Sequence, residues 1–242
     1  MATSGVSGFG TVLVWNYHKI LELSNIGGVS QTRGTIDVSS HDSPSSFKEY
    51  VSGMADGGEL PIEGNFISGD ANGQIKFHTD LQAGTKRYAY IVFPMSLGGS
   101  LEAYAIGTGF NMSFPIDDKL GISGSLKLAG KPSMYLTQST GMSGLTGIES
   151  KDSTALEITP EIAVGTYAYV CSVDTESTWV KLTITAGSHT IYAQGVAQTT
   201  AQQGGEITLG AAGTDTRVFI MVFETSKSPR LYKLTVTRAA AG

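Results

Sequence analysis

Alternation of bulky and small residues is the strongest pattern along this chain. In LEAYAIGTGFNMSF, residues 101–114, Tyr104, Ile106, Phe110, Met112 and Phe114 fall on even positions, while Ala103, Ala105, Gly107, Gly109, Asn111 and Ser113 fall on odd ones. A period of two predicts a strand with one bulky apolar face and one small polar face. At about 3.4 Å per residue it would span roughly 45 Å, far beyond the usual strand, which points to a large barrel or a ribbon. Shorter strands are predicted in TVLVWN, KILELS, QTRGTIDVS, LPIEGNFI, GQIKFHT, KRYAYIVF and GISGSLKLAG, set apart by turn signals such as NIGG, DANG and AGT.

One helix is predicted in SSHDSPSSFKEYVSGM. Phe47, Tyr50, Val51 and Met54 recur at i, i+3, i+4 and i+7 and would form one apolar stripe. Ser43 can cap its start with Pro44 in the first turn, Ser46 and Glu49 offer a slightly later capping box, and Gly53, Gly57 and Gly58 stop it. From about Ser153 the rhythm changes to short runs: ALEITP, GTYAYVCSV, WVKLTITAG, TIYAQGVAQ, GEITLG, RVFIMVFE and LYKLTVTR. That spacing predicts an immunoglobulin-like β-sandwich without a disulfide. The Gly-, Ser- and Thr-rich stretch from about residue 130 reads as a connector, giving expected domains of 1–149 and 150–242. The predicted fold class is mainly β, a barrel or sandwich with one short flanking helix followed by a second sandwich.

Composition narrows the function classes. Charged residues make up 15% of the 242, with 16 basic against 21 acidic, so no electrostatic footprint for gripping a phosphate backbone is present. The opening MATSGVSGFGTVLVWN lacks a basic segment followed by an apolar run, and no window reads as a spanning helix, so a soluble chain without export or membrane insertion is expected. Cys171 is the one cysteine and sits in an apparent strand, where it reads as a small buried hydrophobe.

Chemistry-bearing constellations are weak. His18, His41, His78 and His189 stand at no metal-ligand spacing, and Asp42, Glu49, Asp56, Glu59 and Glu63 lack the spacing of a calcium loop. GISGS and GMSGL each miss the last glycine of a nucleophile elbow, and LAGKPS puts Pro132 where a phosphate loop needs a hydroxyl. No enzyme, metal or cofactor is expected.

The order SSHDSP, SSFKEYVSGM, DGGELPIEGNF, followed by KFHTDLQAGTKRYAYIVFP, resembles the major tail tube protein of long, non-contractile-tailed bacteriophages over roughly residues 9–130. YKLTVTR after RVFIMVF is similar to the bacterial Ig-like or cadherin-like modules appended to such proteins. The resemblance implies a virion protein, assembled in the host cytoplasm, that forms stacked rings, commonly hexameric. Its partners would be further copies of itself, the tape-measure, terminator and distal tail proteins, double-stranded DNA passing through the bore without specific binding, and host surface glycans met by the second domain.

Under that resemblance either the small face of residues 103–113, carrying Asn111 and Ser113, or the strand face carrying Glu63 and Asn65 lines the bore. Phe47, Tyr50, Val51 and Met54 would pack the helix on the outside of the barrel, and His41, Asp42, Ser43 and Pro44 would form a subunit-contact loop. The competing class is an adhesin or carbohydrate-binding protein of two β-sandwiches, which predicts an export signal and leaves the long strand unexplained. The inner tube of a contractile tail or secretion system is the nearest rival among structural proteins.

Overall fold

The computed structural model describes residues 7–43, 46–94, 96–139, 145–150, 155–163, 166–184, 189–198 and 205–242. The fold is mainly β. Its strands are β1 (Val12–Trp15), β2 (His18–Lys19), β3 (Leu23–Ile26), β4 (Thr32–Asp37), β5 (Tyr50–Asp56) and β6 (Glu59–Asn65), then helix α1 (Gln74–Gln82). There follow β7 (Arg87–Val92), β8 (Ser100–Ser113), β9 (Gly121–Leu128), β10 (Ser133–Tyr135), β11 (Leu145–Ser150) and β12 (Ala168–Val173). The last are β13 (Trp179–Ile184), β14 (Thr190–Ala193), β15 (Val196–Gln198), β16 (Ile207–Thr208), β17 (Asp215–Phe223) and β18 (Arg230–Arg238). The chain divides into two compact units, one of residues 1–20, 90–101 and 134–242, the other of residues 21–89 and 102–133.

In the second of these units β8, β9, β6 and β3 form an antiparallel sheet. Its covered face carries Leu60, Ile62, Ala103, Ala105, Ile122, Leu126 and Leu128, all buried. Helix α1 lies on that face through Phe77. The seat is made by glycine: a Cβ on Gly107 would stand 3.0 Å from the Leu81 Cβ and 3.4 Å from the Phe77 ring, and one on Gly124 would stand 3.4 Å from the same ring. The small residues of β8 are therefore small because a helix sits against them.

Helix α1 was predicted as a strand, GQIKFHT. Its inward residues are Gln74, Phe77 and Asp80, so two of the three buried positions are polar and hydrophobic periodicity carries no helical signal. Each polar residue is fully used. Gln74 accepts a hydrogen bond from the Ile67 N–H at 2.9 Å and donates to the carbonyls of Leu21 and Asn65 at 2.9 and 2.8 Å. Asp70 accepts from the backbone N–H groups of Gln74 and Leu21, taking the place of a side-chain cap. Asp80 receives the Arg87 guanidinium at 3.0 and 2.9 Å and the Lys76 ammonium at 2.6 Å.

The predicted helix at residues 43–54 is replaced by strand β5, paired with β4 in a two-stranded ribbon. Tyr50 and Val51 favour strands, Gly53 weakens a helix, and β4 supplies cross-strand partners, Ile36 to Val51 and Asp37 to Tyr50. Ser43, expected to cap the helix, and Glu49, expected to box it with Ser46, close a loop: the Ser43 hydroxyl donates to Glu49 Oε2 at 2.8 Å, and the Glu49 N–H donates to the Ser39 hydroxyl at 2.8 Å. Pro44 lies outside the described residues.

In the other unit, sheet β11–β13–β16 and sheet β12–β18–β17–β14–β15 share one core. Strands β10 and β11 fall in the stretch read as a connector, and ALEITP supplies bridges at Ala155 and Thr159 in place of a strand. Core residues alternate along β12 as Tyr169, Cys171 and Val173 and along β18 as Tyr232, Leu234 and Val236. The Tyr169 hydroxyl donates to the Thr166 carbonyl at 2.9 Å, anchoring the loop that feeds β12. Cys171 is 4% exposed, and burial pushes its thiol up to about 11, so it packs as an apolar group without nucleophilic character. The β1–β2 turn belongs to the same unit. Asn16 and Tyr17 both have positive φ, and the Tyr17 ring stacks on Tyr192 with centroids 3.9 Å apart.

Replacing Asp80 by Asn leaves Arg87 and Lys76 facing a neutral amide. Both cations are about one-third exposed, so the cost falls below that of a fully buried pair, at about 2–3 kcal/mol. Urea unfolding should show that loss; a change under about 0.5 kcal/mol, the range of neutral surface substitutions, would contradict it.

Candidate functional site

The sheet face opposite α1 is set by one irregularity. Pairing of β8 with β9 runs Ala105–Leu128, Ile106–Lys127 and Gly107–Leu126, then shifts, so that Gly109 faces Ser125, Asn111 faces Ser123 and Ser113 faces Gly121. Thr108 is the extra residue of a β-bulge, and every side chain beyond it changes face. Before the bulge the odd positions Ala103, Ala105 and Gly107 are covered and Tyr104 is 41% exposed. Beyond it Phe110 turns to the covered side, its ring centroid 6.3 Å from Phe77 and 5.0 Å from His78. The expected single small face along residues 103–113 is thus split in two.

That split brings together residues predicted as alternatives. Asn111 stands in register with Ser123 and Glu63, and Ser113 with Gly121 and Asn65, so Glu63, Asn65, Asn111 and Ser113 share one open face. The same face carries Thr108, Ser125, Glu59 and Lys127. Glu59 accepts from the Thr108 hydroxyl at 2.8 Å, and this bond, followed by one from Ser125, holds its carboxyl below the ordinary value. Lys127 donates to Asp56 at 2.7 Å; that bond and one from the Gly58 N–H hold the Asp56 carboxyl low. This cation is therefore already engaged. Towards the other end, burial raises the carboxyl of Glu102, and Tyr88 packs on Tyr104 at 4.0 Å with Lys86 over the Tyr104 ring.

The β4–β5 ribbon is the second notable surface. Every residue of β4 is exposed, as is every residue of β5 except half-buried Gly53. Ile36, Val38 and Val51 fall on one side of it; Phe47 is 76% and Met54 92% exposed. Phe47, Tyr50, Val51 and Met54 therefore do not pack on the sheet as a helical stripe. His41 and Asp42 sit in an exposed turn whose N–H and hydroxyl groups bond within Ser40–Ser43. Nothing in the sequence reading pointed to Thr108, Ser123 and Ser125 as part of the polar face. The bulge that places them is announced only by Gly107 and Gly109 flanking one threonine.

Among the described residues no three His, Cys, Asp or Glu side chains converge as a metal site, and no helix is long and apolar enough to cross a membrane. No family model and no curated protein matches the chain. Solved structures match about half of it. A chain from the virion of a native gene transfer agent particle is 16% identical, the match covering 54% of this chain and 98% of that chain at a TM-score of 0.46. A chain from an extracellular contractile injection system, the PVC sheath/tube terminator in the extended state, is 12% identical over 55% of this chain and 99% of that chain, at 0.45. One from the anti-feeding prophage baseplate is 16% identical over 55% and 97%, at 0.44.

Two outcomes test this geometry. Phe47→Ala should leave unfolding stability within about 0.5 kcal/mol of the parent, because an exposed side chain buries little on folding; a loss above about 2 kcal/mol would show that Phe47 is covered within the subunit. The lowered carboxyls of Asp56, Glu59 and Asp37 have folded values below their unfolded ones, so their stabilisation is present above about pH 4 and is lost as pH falls through the folded values. Acid titration followed by hydrogen exchange should therefore loosen β4, β5 and the β6–β9 pair below about pH 4, and Asp56→Asn should flatten that response; an identical acid profile in the variant would count against it.

Proposed function

We propose that this protein is a structural virion protein, the subunit of a phage tail tube of the long non-contractile type, and that it has no enzymatic role. The observation that carries the reading is the β4–β5 ribbon. A two-stranded ribbon is at best marginal in water on its own, and this one exposes Ile36, Val38, Phe47, Tyr50, Val51 and Met54. It makes sense when covered by a neighbouring copy. Strand β3 ends the sheet path, so its edge is also available for pairing between copies, as closure of an oligomeric barrel requires.

The open face holding Glu63, Asn65, Asn111 and Ser113 is the proposed bore lining. Hydroxyl and amide groups dominate it, its carboxylates repel phosphate, and Lys127 is held by Asp56. DNA would slide past such a surface without being bound. Residues 150–242 would project from the tube as an Ig-like domain, and many weak contacts with host glycans from a multi-copy array would add up by avidity. His41, Asp42 and Ser43 lie between β4 and β5, and under this reading they would join the subunit contacts together with Pro44. The tape-measure, terminator and distal tail proteins complete the set of partners.

Electron microscopy of the purified protein should show rings, probed for sixfold symmetry by class averaging, that stack into tubes; a monomer at every concentration and salt would overturn the reading. Glu63→Lys with Asn111→Lys should slow genome ejection from assembled virions without preventing tube formation. Unchanged ejection would sink the bore assignment.

A further inference from the structure

The β8–β9 connection and the far end of β9 carry complementary surfaces. Residues 114–120 turn between the two strands with Phe114 67% and Ile116 98% exposed, followed by Asp117 and Asp118. At the other end of β9 a cleft of about 490 Å³ lies between the start of β4, the end of β5 and the turn after β9, with Arg33, Lys131, Gly130 and Pro132 among its walls. Among the described residues Arg33, Lys131, Asp117 and Asp118 make no ion pair, whereas Asp56 at the cleft is satisfied by Lys127. Among the described residues Arg33 is held only by a 3.3 Å hydrogen bond to the Gly53 carbonyl.

Position makes the pairing directional. The eight residues of β9 separate tip from cleft by about 27 Å at 3.4 Å each, so one copy cannot bring its own tip to its own cleft. A contact between different patches on two copies is heterologous, and such a contact propagates into an open stack when the operation does not close. We propose that the tip of one subunit, Phe114 and Ile116 with Asp117 and Asp118, docks in the Arg33–Lys131 cleft of a second copy in the next ring and is the axial contact of the assembly. The proposal rests on the tube reading, which supplies the rings; tip and cleft supply the joint between them. The apolar pair would fill the cleft, and the two aspartates would meet the unpaired cations at its rim. Phosphate or another acidic ligand in the cleft is the competing occupant.

Reversal of each side separately tests this. Asp117→Lys with Asp118→Lys, and Arg33→Glu with Lys131→Glu, should each yield folded protein, shown by circular dichroism, that still forms rings but needs at least about tenfold more protein to grow tubes. Mixing the two variants places lysine tips against glutamate clefts, and native tips against native clefts. The mixture should regain tubes of alternating rings by electron microscopy and light scattering, and high salt should weaken both native and mixed tubes. Tubes from either variant alone at the native concentration, failure of the mixture to regain tubes, or loss of rings as well as tubes would each overturn the axial contact while leaving the tube reading in place. If the parent protein forms neither rings nor tubes, the tube reading itself fails and the contact with it.

Discussion

The bulge at Thr108 is the constraint on which the sheet of residues 21–89 and 102–133 depends. A strand of 14 residues without it would keep one set of side chains on one side throughout. The two halves of β8 have different tasks. Near Ala105 and Gly107 the covered side must be small, because α1 approaches so closely that a Cβ at Gly107 would stand 3.0 Å from the Leu81 Cβ and push it back. Farther along, α1 offers Phe77 and His78 to be packed, and the covered side must become bulky; Phe110 meets them. One inserted residue reconciles both demands and, as a by-product, sends Asn111 and Ser113 to the open face beside Glu63 and Asn65.

Much of the strand content was legible in the sequence because β-formers alternate and glycine turns separate them; β8 could be read almost to its ends. Its facing could not. Parity is lost at a bulge, and a Gly-Thr-Gly triplet does not by itself say that the register slips there. The two helix errors have a shared origin. Phe47, Tyr50, Val51 and Met54 match a helical stripe by spacing alone, yet as a strand Tyr50 and Val51 point to opposite sides, and the stripe ceases to exist. In α1 the inward positions are Gln74 and Asp80 around a single Phe, and their burial is stabilised by hydrogen bonds and an ion pair that no hydrophobic pattern reveals. Asp70 before the helix and Gly84 after it, with φ of +61°, were the usable signals.

Polar burial also explains why α1 can hold several segments in place at once. Gln74 spans the start of β3, the end of β6 and the segment that leads into the helix, and Asp70 ties the helix N-terminus to Leu21. An apolar residue at position 74 could fill the volume, but would leave the carbonyls of Leu21 and Asn65 and the N–H of Ile67 without these bonds, at the desolvation cost of each. The network therefore fixes where β3 meets β6, and so where the free edge of the sheet lies. In an assembly built by edge contact, that placement matters more than the stability it adds.

The open face and the ribbon differ in what they leave unsatisfied, and the difference bears on the proposed tube. On the open face Lys127 is held by Asp56, and Glu59 keeps its charge while accepting the Thr108 hydroxyl, so a passing polyanion meets carboxylates and short neutral groups around a cation already engaged. On the ribbon the polar bonds are also internal, Lys48 to Asp37 and Ser43 to Glu49, but the apolar side chains stay between 47% and 92% exposed. A surface whose polar groups are satisfied and whose apolar groups are exposed gains from association chiefly by burying area. A surface whose carboxylates stay charged and whose Lys127 is already engaged offers a polyanion nothing to hold. The first is suited to hold copies together and the second to let a charged chain go by, which is the division of labour a conduit requires.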